Sequence, residues 1–192
     1  MVVLKTVANI LDKLVIVTLV ALPYYFKVRT SMFITIGITI FLLSFQYYLL
    51  QKNVIKTFPK IIDVTVLLLS IALLTADYFI PEESREEFEK MRPLFIYGSF
   101  FTMAFLSLLF NHPFTTQYAK NSNTIPESAW VTPRFLEVNK KITFVWMVSF
   151  LLMSISSSVP LMTNVSKTMN IILSTMVPVI LIFITMRYKG GS

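Results

Sequence analysis

The sequence predicts an all-α, polytopic membrane protein: a bundle of about six transmembrane helices with no soluble domain. Hydrophobic residues make up 55% of its 192 positions and charged residues only 14%, against about 25% in a typical soluble domain. A hydrocarbon core of about 30 Å requires about 20 helical residues, because no water is present to satisfy the backbone. Six apolar stretches have about this length: residues 7–26, 32–50, 61–80, 94–110, 142–163 and 168–187.

The spans leave room for short connections only, so residues 1–189 are predicted to form a single transmembrane domain. Residues 111–141 are predicted to be a cytoplasmic loop carrying short helices. The first span is not expected to be a cleaved signal peptide, since no small-residue cleavage site follows Phe26. Residues 190–192 are interpreted as a possible remnant of an expression tag.

The distribution of basic residues predicts the orientation in the membrane. With six spans, and with Lys13 left out as intramembrane, ten Lys and Arg residues fall on the face that holds both termini and six on the opposite face. The opposite face also holds Glu82, Glu83, Glu86, Glu87 and Glu89. By the positive-inside rule the termini are cytoplasmic. We therefore expect a multi-pass protein of the bacterial inner membrane, whose net charge of +7 reflects orientation and contact with anionic lipid headgroups rather than nucleic-acid binding.

Polar residues in the first span allow two interpretations. Lys5, Asn9, Asp12 and Lys13 recur at helical spacing on one face. Either this face is an amphipathic start whose charges reach the headgroups, or Asp12 and Lys13 face the interior of the bundle and pair with other helices.

Lys52, Lys56 and Lys60 follow the second span at four-residue spacing. On a helix they would form one cationic face, and contact with anionic lipid headgroups is the role predicted for them.

The third span carries Asp63, Ser70 and Asp77 seven residues apart, and therefore on nearly one helical face. The two carboxylates are about 21 Å apart along a helix, which excludes a shared metal or an acid–base pair. Either each carboxylate is solvated near a membrane interface, or the three residues form a polar track through the bundle. Weaker polar stripes in the second and sixth spans are typical of hydrogen bonding between helices: Thr35, Thr39 and Gln46, and Asn170, Ser174 and Pro178.

Local signals predict the boundaries of the later helices. Residues 82–92 are predicted to be an acidic linker with a short helix, and Pro93 is expected in the first turn of the fourth span. Thr132 followed by Pro133 is typical of an N-cap with proline at the first helical position. A helix starting there would lie along the membrane surface or continue into the fifth span, supported by a Glu137–Lys141 pair.

The sequence offers little catalytic chemistry. His112 is the only histidine and cysteine is absent, so the usual nitrogen and sulfur metal ligands cannot form a site. No glycine-rich phosphate loop is present. We therefore predict no catalytic, cofactor-binding or metal-binding residues and no enzymatic activity.

Several motifs occur in an order that suggests a family. They are Gln46 at the end of the second span, Arg92, Pro93 and Tyr97 after an acidic linker, Pro113, Pro126 four residues before Trp130, and Trp146 four residues before Phe150. In this order they resemble the intracellular septation protein A family of small bacterial inner-membrane proteins. This sequence departs from the family in about nine additional residues between Trp130 and Trp146, and in Thr143, where the family has asparagine.

The resemblance implies a non-enzymatic inner-membrane protein that maintains the cell envelope, acting in septation or lipid homeostasis through partner proteins or as a homo-oligomer. The polar stripes leave a second hypothesis open, a small transporter or channel that uses Asp12, Asp63 and Asp77. A lipid-headgroup enzyme is a third class, for which the sequence assembles no site.

Overall fold

The computed structural model describes residues 26–121 and 125–162, together with Leu19 and Leu22. Most of the predicted first span, with Asp12 and Lys13, and the whole predicted sixth span lie outside these residues. The described residues form five α-helices and two short 3₁₀ helices. The α-helices are α1 (Val28–Gln51), α2 (Ile61–Phe79), α3 (Arg85–Leu109), α4 (Thr115–Asn121) and α5 (Pro133–Met162), and the 3₁₀ helices are Glu82–Ser84 and Glu127–Val131.

Four helical segments are long and apolar enough to cross a membrane: Val28–Gln51, Ile61–Phe79, Glu82–Leu109 and Pro133–Ser158. Over the described residues the predicted all-helical fold is therefore confirmed, and these four segments correspond to the second to fifth predicted spans. These apolar segments are helical because a helix forms all its backbone hydrogen bonds within itself, as a segment needs in a solvent that offers none.

The described residues divide into two packed units. The first, which we call the hairpin unit, contains α1, α2 and the described part of residues 116–130. The second contains residues 90–115 and the described residues from Val131 onward, and therefore most of α3 and α5.

The hairpin unit buries polar as well as apolar residues and exposes large apolar residues on its outer surface. On α1, the buried residues include Thr35, Thr39 and Gln46, whereas Phe41 is 63% exposed. On α2, Leu68 is similarly exposed, at 62%. Buried polar side chains beneath an apolar outer surface suit a lipid environment, where close packing and hydrogen bonds between helices hold the helices together.

The connection between α1 and α2 corrects the prediction of a cationic helical face. Asn53 adopts a left-handed conformation (φ 54°), and the N–H of Val54 donates to the carbonyl of Leu49 at 2.9 Å. These features end α1, since asparagine is one of the residues that adopt the left-handed conformation just after a helix C-terminus. Residues 53–60 are therefore not helical, so Lys52, Lys56 and Lys60 do not share a helical face, and Lys60 is buried rather than presented to headgroups.

The start of α3 also differs from the prediction. The helix begins at Arg85, so Pro93 lies inside it rather than in its first turn, and most of the predicted acidic linker is helical. Residues 85–92 are mainly charged side chains with good helix propensity. Their propensity extends the helix upstream of the proline, which removes a single backbone donor and is tolerated near the end of a span.

The start of α5 agrees with the prediction. Thr132 Oγ1 accepts a hydrogen bond from the N–H of Phe135 at 3.3 Å, which is the N-cap interaction. The helix then continues without a break into the predicted fifth span. Of the two predicted courses, along the membrane surface or into the fifth span, the second is therefore correct. The expected Glu137–Lys141 pair is present, with 2.7 Å between Oε1 and Nζ.

Within the second unit, α3 and α5 pack antiparallel. The ring of Phe150 lies 5.2 Å from that of Phe100 and 5.5 Å from that of Trp146, measured between centroids. The hydroxyl of Thr115, the first residue of α4, donates to the carbonyl of Asn139 at 3.0 Å and lies 2.9 Å from the hydroxyl of Thr143. Aromatic packing thus joins α3 to α5, and hydroxyl hydrogen bonds join the start of α4 to α5.

Candidate functional site

The candidate site is the face of α2 that packs against α1. Asp63, Ser70 and Asp77 all lie on this face and all are buried, at 0%, 0% and 5% exposure. Their seven-residue spacing aligns them because 14 residues are close to four helical turns. The sequence prediction that the three residues share a face is therefore confirmed, and α1 supplies the groups that meet them.

Asp63 meets Gln46 near the end of the hairpin where α1 and α2 are connected. The side-chain amide Nε2 of Gln46 donates to Asp63 Oδ2 at 2.8 Å, and both residues are fully buried. Asp63 also lies in the first turn of α2, where the helix dipole favours a negative charge. Amide and dipole together offset the cost of burying this carboxylate.

Asp77 meets Arg29 at the other end of the hairpin. Arg29 Nε donates to Asp77 Oδ2 at 3.1 Å, with the arginine side chain about half exposed and the carboxylate buried. Asp77 lies in the last turn of α2, where the helix dipole disfavours an anion. The positive charge of the arginine therefore stabilises the Asp77 carboxylate, which the dipole of α2 does not.

Hydroxyl groups occupy the interface between these two contacts. Thr35 Oγ1 donates to the carbonyl of Ser31 at 2.8 Å, and Thr39 Oγ1 donates to that of Thr35 at 2.7 Å. Both threonines thus use their protons within α1 and leave only acceptor capacity toward α2. The hydroxyl of Ser70 is fully buried and makes no hydrogen bond to any residue that the structure describes.

These contacts correct one of the two interpretations of the α2 carboxylates. Neither Asp63 nor Asp77 is solvated at a membrane interface, because both are buried against protein. They lie on a polar row as the alternative suggested, but each contacts a named group on α1. The arrangement fixes the position and antiparallel direction of the two helices, and it holds no acid–base pair because the carboxylates are about 21 Å apart.

A second polar cluster lies at the connected end of the hairpin. We call it the loop platform and define it as residues 52–60, 116–121 and 125–130. Asn121 Oδ1 accepts from the backbone N–H groups of Lys56 and Thr57, at 2.8 and 3.1 Å. Gln117 Oε1 accepts from the N–H of Ile61 at 2.8 Å, which satisfies an otherwise unbonded donor at the start of α2. Two amide side chains therefore fasten the loop and cap the helix.

The platform places its lysines in distinct environments. Lys56 Nζ is 3.0 Å from Glu127 Oε1, and Lys120 Nζ is 5.8 Å from the centre of the Trp130 ring. Lys52 Nζ is 5.8 Å from the centre of the Tyr48 ring. Lys60 is buried with its Nζ 5.0 Å from the Tyr118 ring, so of the three lysines predicted to contact lipid only Lys52 and Lys56 are exposed.

The structure separates the residues that carry the family resemblance. Gln46 joins the α1–α2 interface, Pro126 and Trp130 belong to the loop platform, and the remaining residues belong to the second unit. There, Arg92, Tyr97 and Phe150 are buried, Pro113 is buried beside the end of α3, and Trp146 is half-buried.

Sequence reasoning missed Arg29 and the two platform amides. Arg29 is one of the six basic residues that the sequence analysis uses only to predict orientation, although an antiparallel hairpin with a short connection pairs the start of α1 with the end of α2. The signal that could have found it was therefore the register of the hairpin. Gln117 and Asn121 had no such signal, because their partners are backbone groups about 60 residues away.

Among the described residues, no three His, Cys, Asp or Glu side chains come together in a way that could hold a metal ion. Comparisons of the chain with protein-family models, curated proteins and solved structures give no significant match.

Proposed function

We propose that this chain is a non-enzymatic integral protein of the bacterial inner membrane that acts as a scaffold for the cell envelope. Its role would lie in septation or lipid homeostasis, as the resemblance to the septation family implies, and would be exerted through partner proteins or a second copy of the chain. In this proposal the polar residues within the membrane hold helices together and carry nothing across.

The observation that carries the proposal is that both α2 carboxylates are used in contacts with α1. Asp63 accepts from Gln46 and Asp77 from Arg29, and each carboxylate is almost completely buried. A carboxylate that couples or selects ions must be reached by water or ions, whereas these two are packed against protein. Polar groups used in this way stabilise helix association in lipid.

The charge of the hairpin ends supports a cytoplasmic location for the loop platform. The platform carries Lys52, Lys56, Lys60 and Lys120 against a single acidic residue, Glu127. Five glutamates follow α2 at the opposite end of the hairpin. The positive-inside rule then places the platform, and with it both termini of a six-span chain, in the cytoplasm.

One observation favours a second candidate, a small transporter or channel. Ser70 is a buried hydroxyl without a hydrogen-bond partner among the described residues, and it lies between two carboxylates on a face that meets Thr35 and Thr39. Buried polar groups of this kind are often satisfied by water. A hydrated row between Asp63 and Asp77 would provide a path for protons or small cations.

Flux measurements on purified protein distinguish the two functions. The full chain is reconstituted into liposomes that contain a pH-sensitive dye, and a proton gradient and a potassium gradient are applied in turn. The scaffold proposal predicts flux equal to that of protein-free liposomes for the wild type and for Asp77→Asn and Ser70→Ala. Flux that Asp77→Asn abolishes, with helical content and thermal stability preserved, would reject the scaffold in favour of transport.

A deletion strain of the native host provides the complementary test. Loss of the gene is expected to produce an envelope or division defect that the wild-type gene restores. Because the α2 carboxylates act only in packing, a variant such as Asp77→Asn should restore growth in proportion to its folded amount in the membrane. Failure of a well-folded Asp77→Asn to restore growth would contradict a purely structural role.

A further inference from the structure

We infer that the loop platform binds the phosphate of an anionic phospholipid through Lys56 and Lys120, and that Glu127 competes with the lipid for Lys56. The inference rests on the membrane location of the hairpin and not on the scaffold role, so transport in the flux assay would leave it intact. It replaces the cationic helical face predicted from Lys52, Lys56 and Lys60.

A closed circuit of contacts brings the two lysines together. Asn121, adjacent to Lys120 in sequence, binds the backbone N–H of Lys56 at 2.8 Å. Lys56 reaches Glu127 at 3.0 Å, and the 3₁₀ helix that begins at Glu127 also carries Trp130, over which Lys120 lies at 5.8 Å. The two lysines are therefore attached to one frame, in which Glu127 contacts the end of the Lys56 side chain and Trp130 that of the Lys120 side chain.

Membership of this circuit and exposure together decide which lysines take part, and Lys52 lies outside the circuit because it contacts Tyr48. The side chain of Lys56 is 44% exposed and that of Glu127 is 64% exposed, so an ion from outside can reach this pair. Lys120 is half-buried. Lys60 is excluded because it is buried over the ring of Tyr118.

The position of the platform indicates a lipid as the source of the phosphate. It joins the end of α1 to the start of α2, both helices that can span a membrane, so it lies at the depth of the headgroups. Trp130 and the exposed Tyr47 and Tyr48 supply the aromatic side chains typical of that depth. An anionic headgroup at this depth needs no additional binding surface, since its acyl chains lie along the exposed apolar face of the hairpin.

Glu127 acts as an internal anion in this arrangement. It neutralises Lys56 in the lipid-free protein, and a headgroup phosphate that binds Lys56 must displace it. An exposed ion pair of this kind is weak, because water and salt screen it, so the displacement costs little. Removing the carboxylate should therefore increase the affinity for an anionic lipid, which is the opposite of the effect expected for a loss of structure.

The test measures lipid selectivity at the surface of the reconstituted full chain. Spin-labelled phosphatidylglycerol and spin-labelled phosphatidylcholine are compared in phosphatidylcholine bilayers, and electron paramagnetic resonance gives their relative association constants. Lysines near an anionic surface contribute about 1 kcal/mol each, which corresponds to about a fivefold change. We expect Lys56→Gln and Lys120→Gln each to lower the selectivity for phosphatidylglycerol by up to about fivefold, and Glu127→Gln to raise it.

The Glu137–Lys141 pair on α5 supplies matched controls, because it is also an exposed ion pair, with 2.7 Å between its charged atoms. Glu137→Gln and Lys141→Gln make the same charge changes outside the residues that define the platform, and they should leave the selectivity within about twofold of the wild type, because an exposed pair that belongs to no binding site contributes little. Equal effects at the two pairs would overturn the inference by indicating a response to net charge alone. A decrease with Glu127→Gln would overturn it as well, and that variant remains informative even if a lysine variant folds poorly.

Discussion

Gln46 and Asp63 form a hydrogen bond of 2.8 Å between two fully buried side chains on adjacent antiparallel helices. The contact joins a residue that carries the family resemblance to a residue of the polar row on α2. A carboxylate in this position is costly unless donors surround it. The glutamine at the end of α1 is therefore best understood as a structural partner of Asp63.

Replacement of Gln46 should consequently destabilise the hairpin. Gln46→Leu keeps a side chain of similar size but removes the donor, and we expect the free energy of unfolding to fall by about 1–3 kcal/mol. Denaturation in mixed detergent micelles, followed by circular dichroism, measures the change. Gln51→Leu is the control, because Gln51 is exposed at the end of the same helix and should have little effect. Equal stability of the two variants would contradict the structural role of the amide.

The hairpin itself was largely predictable from the sequence, but the polar contacts within it were only half predictable. Period and spacing placed Asp63, Ser70 and Asp77 on one face of a helix, because this depends on helical geometry alone. Their partners Gln46 and Arg29 depend on the register of a second helix. Register is decided by packing and by the length of the connection, neither of which leaves a periodic signal in one sequence.

The boundary errors have a different physical origin. Pro93 was expected to start a helix because proline fits a first turn, yet eight helical residues precede it, from Arg85 onward. The charged residues before it have good helix propensity and lie beyond the apolar stretch. The helix propensity of this segment therefore outweighs the preference of a single proline for the first turn of a helix. Conversely, the lysines at positions 52, 56 and 60 have helical spacing, but Asn53 ends α1 between the first and second of them.

The Arg29–Asp77 pair should show measurable coupling in a double-mutant cycle. We expect Asp77→Asn and Arg29→Gln each to destabilise the protein, and their combination to cost about 1 kcal/mol less than the sum, because either change alone removes the interaction. Because the arginine is half exposed, we expect a coupling energy close to that of surface ion pairs rather than that of buried ones. Lys27→Gln, which removes an exposed charge two residues away, should show no coupling with Asp77→Asn. Strict additivity of Arg29→Gln and Asp77→Asn would show that the contact contributes nothing.

The absence of cysteine from the sequence makes the orientation directly testable. Single cysteines at Lys56 and Glu86 lie at opposite ends of the α2 span, so only one of them should react with a membrane-impermeant maleimide in intact cells. The proposed orientation predicts that Glu86→Cys is labelled from outside and that Lys56→Cys is labelled only after permeabilisation. The unmodified chain serves as a blank without background labelling. Labelling of both positions from outside would exclude a transmembrane α2.

The two glycines within described helices should differ in how well they tolerate a large side chain. At Gly98, an added Cβ would lie 3.7 Å from Ser154 Oγ, whereas at Gly37 no described atom lies within 4 Å. Alanine fits both positions and should stabilise each helix by about 0.5–1 kcal/mol, because glycine loses more backbone freedom on folding. Leucine should remain near neutral at exposed Gly37 but destabilise at Gly98 by about 1–3 kcal/mol through overpacking between α3 and α5. Thermal unfolding of the four variants in one detergent measures the difference, and a Gly98→Leu variant as stable as Gly37→Leu would contradict close packing of α3 on α5.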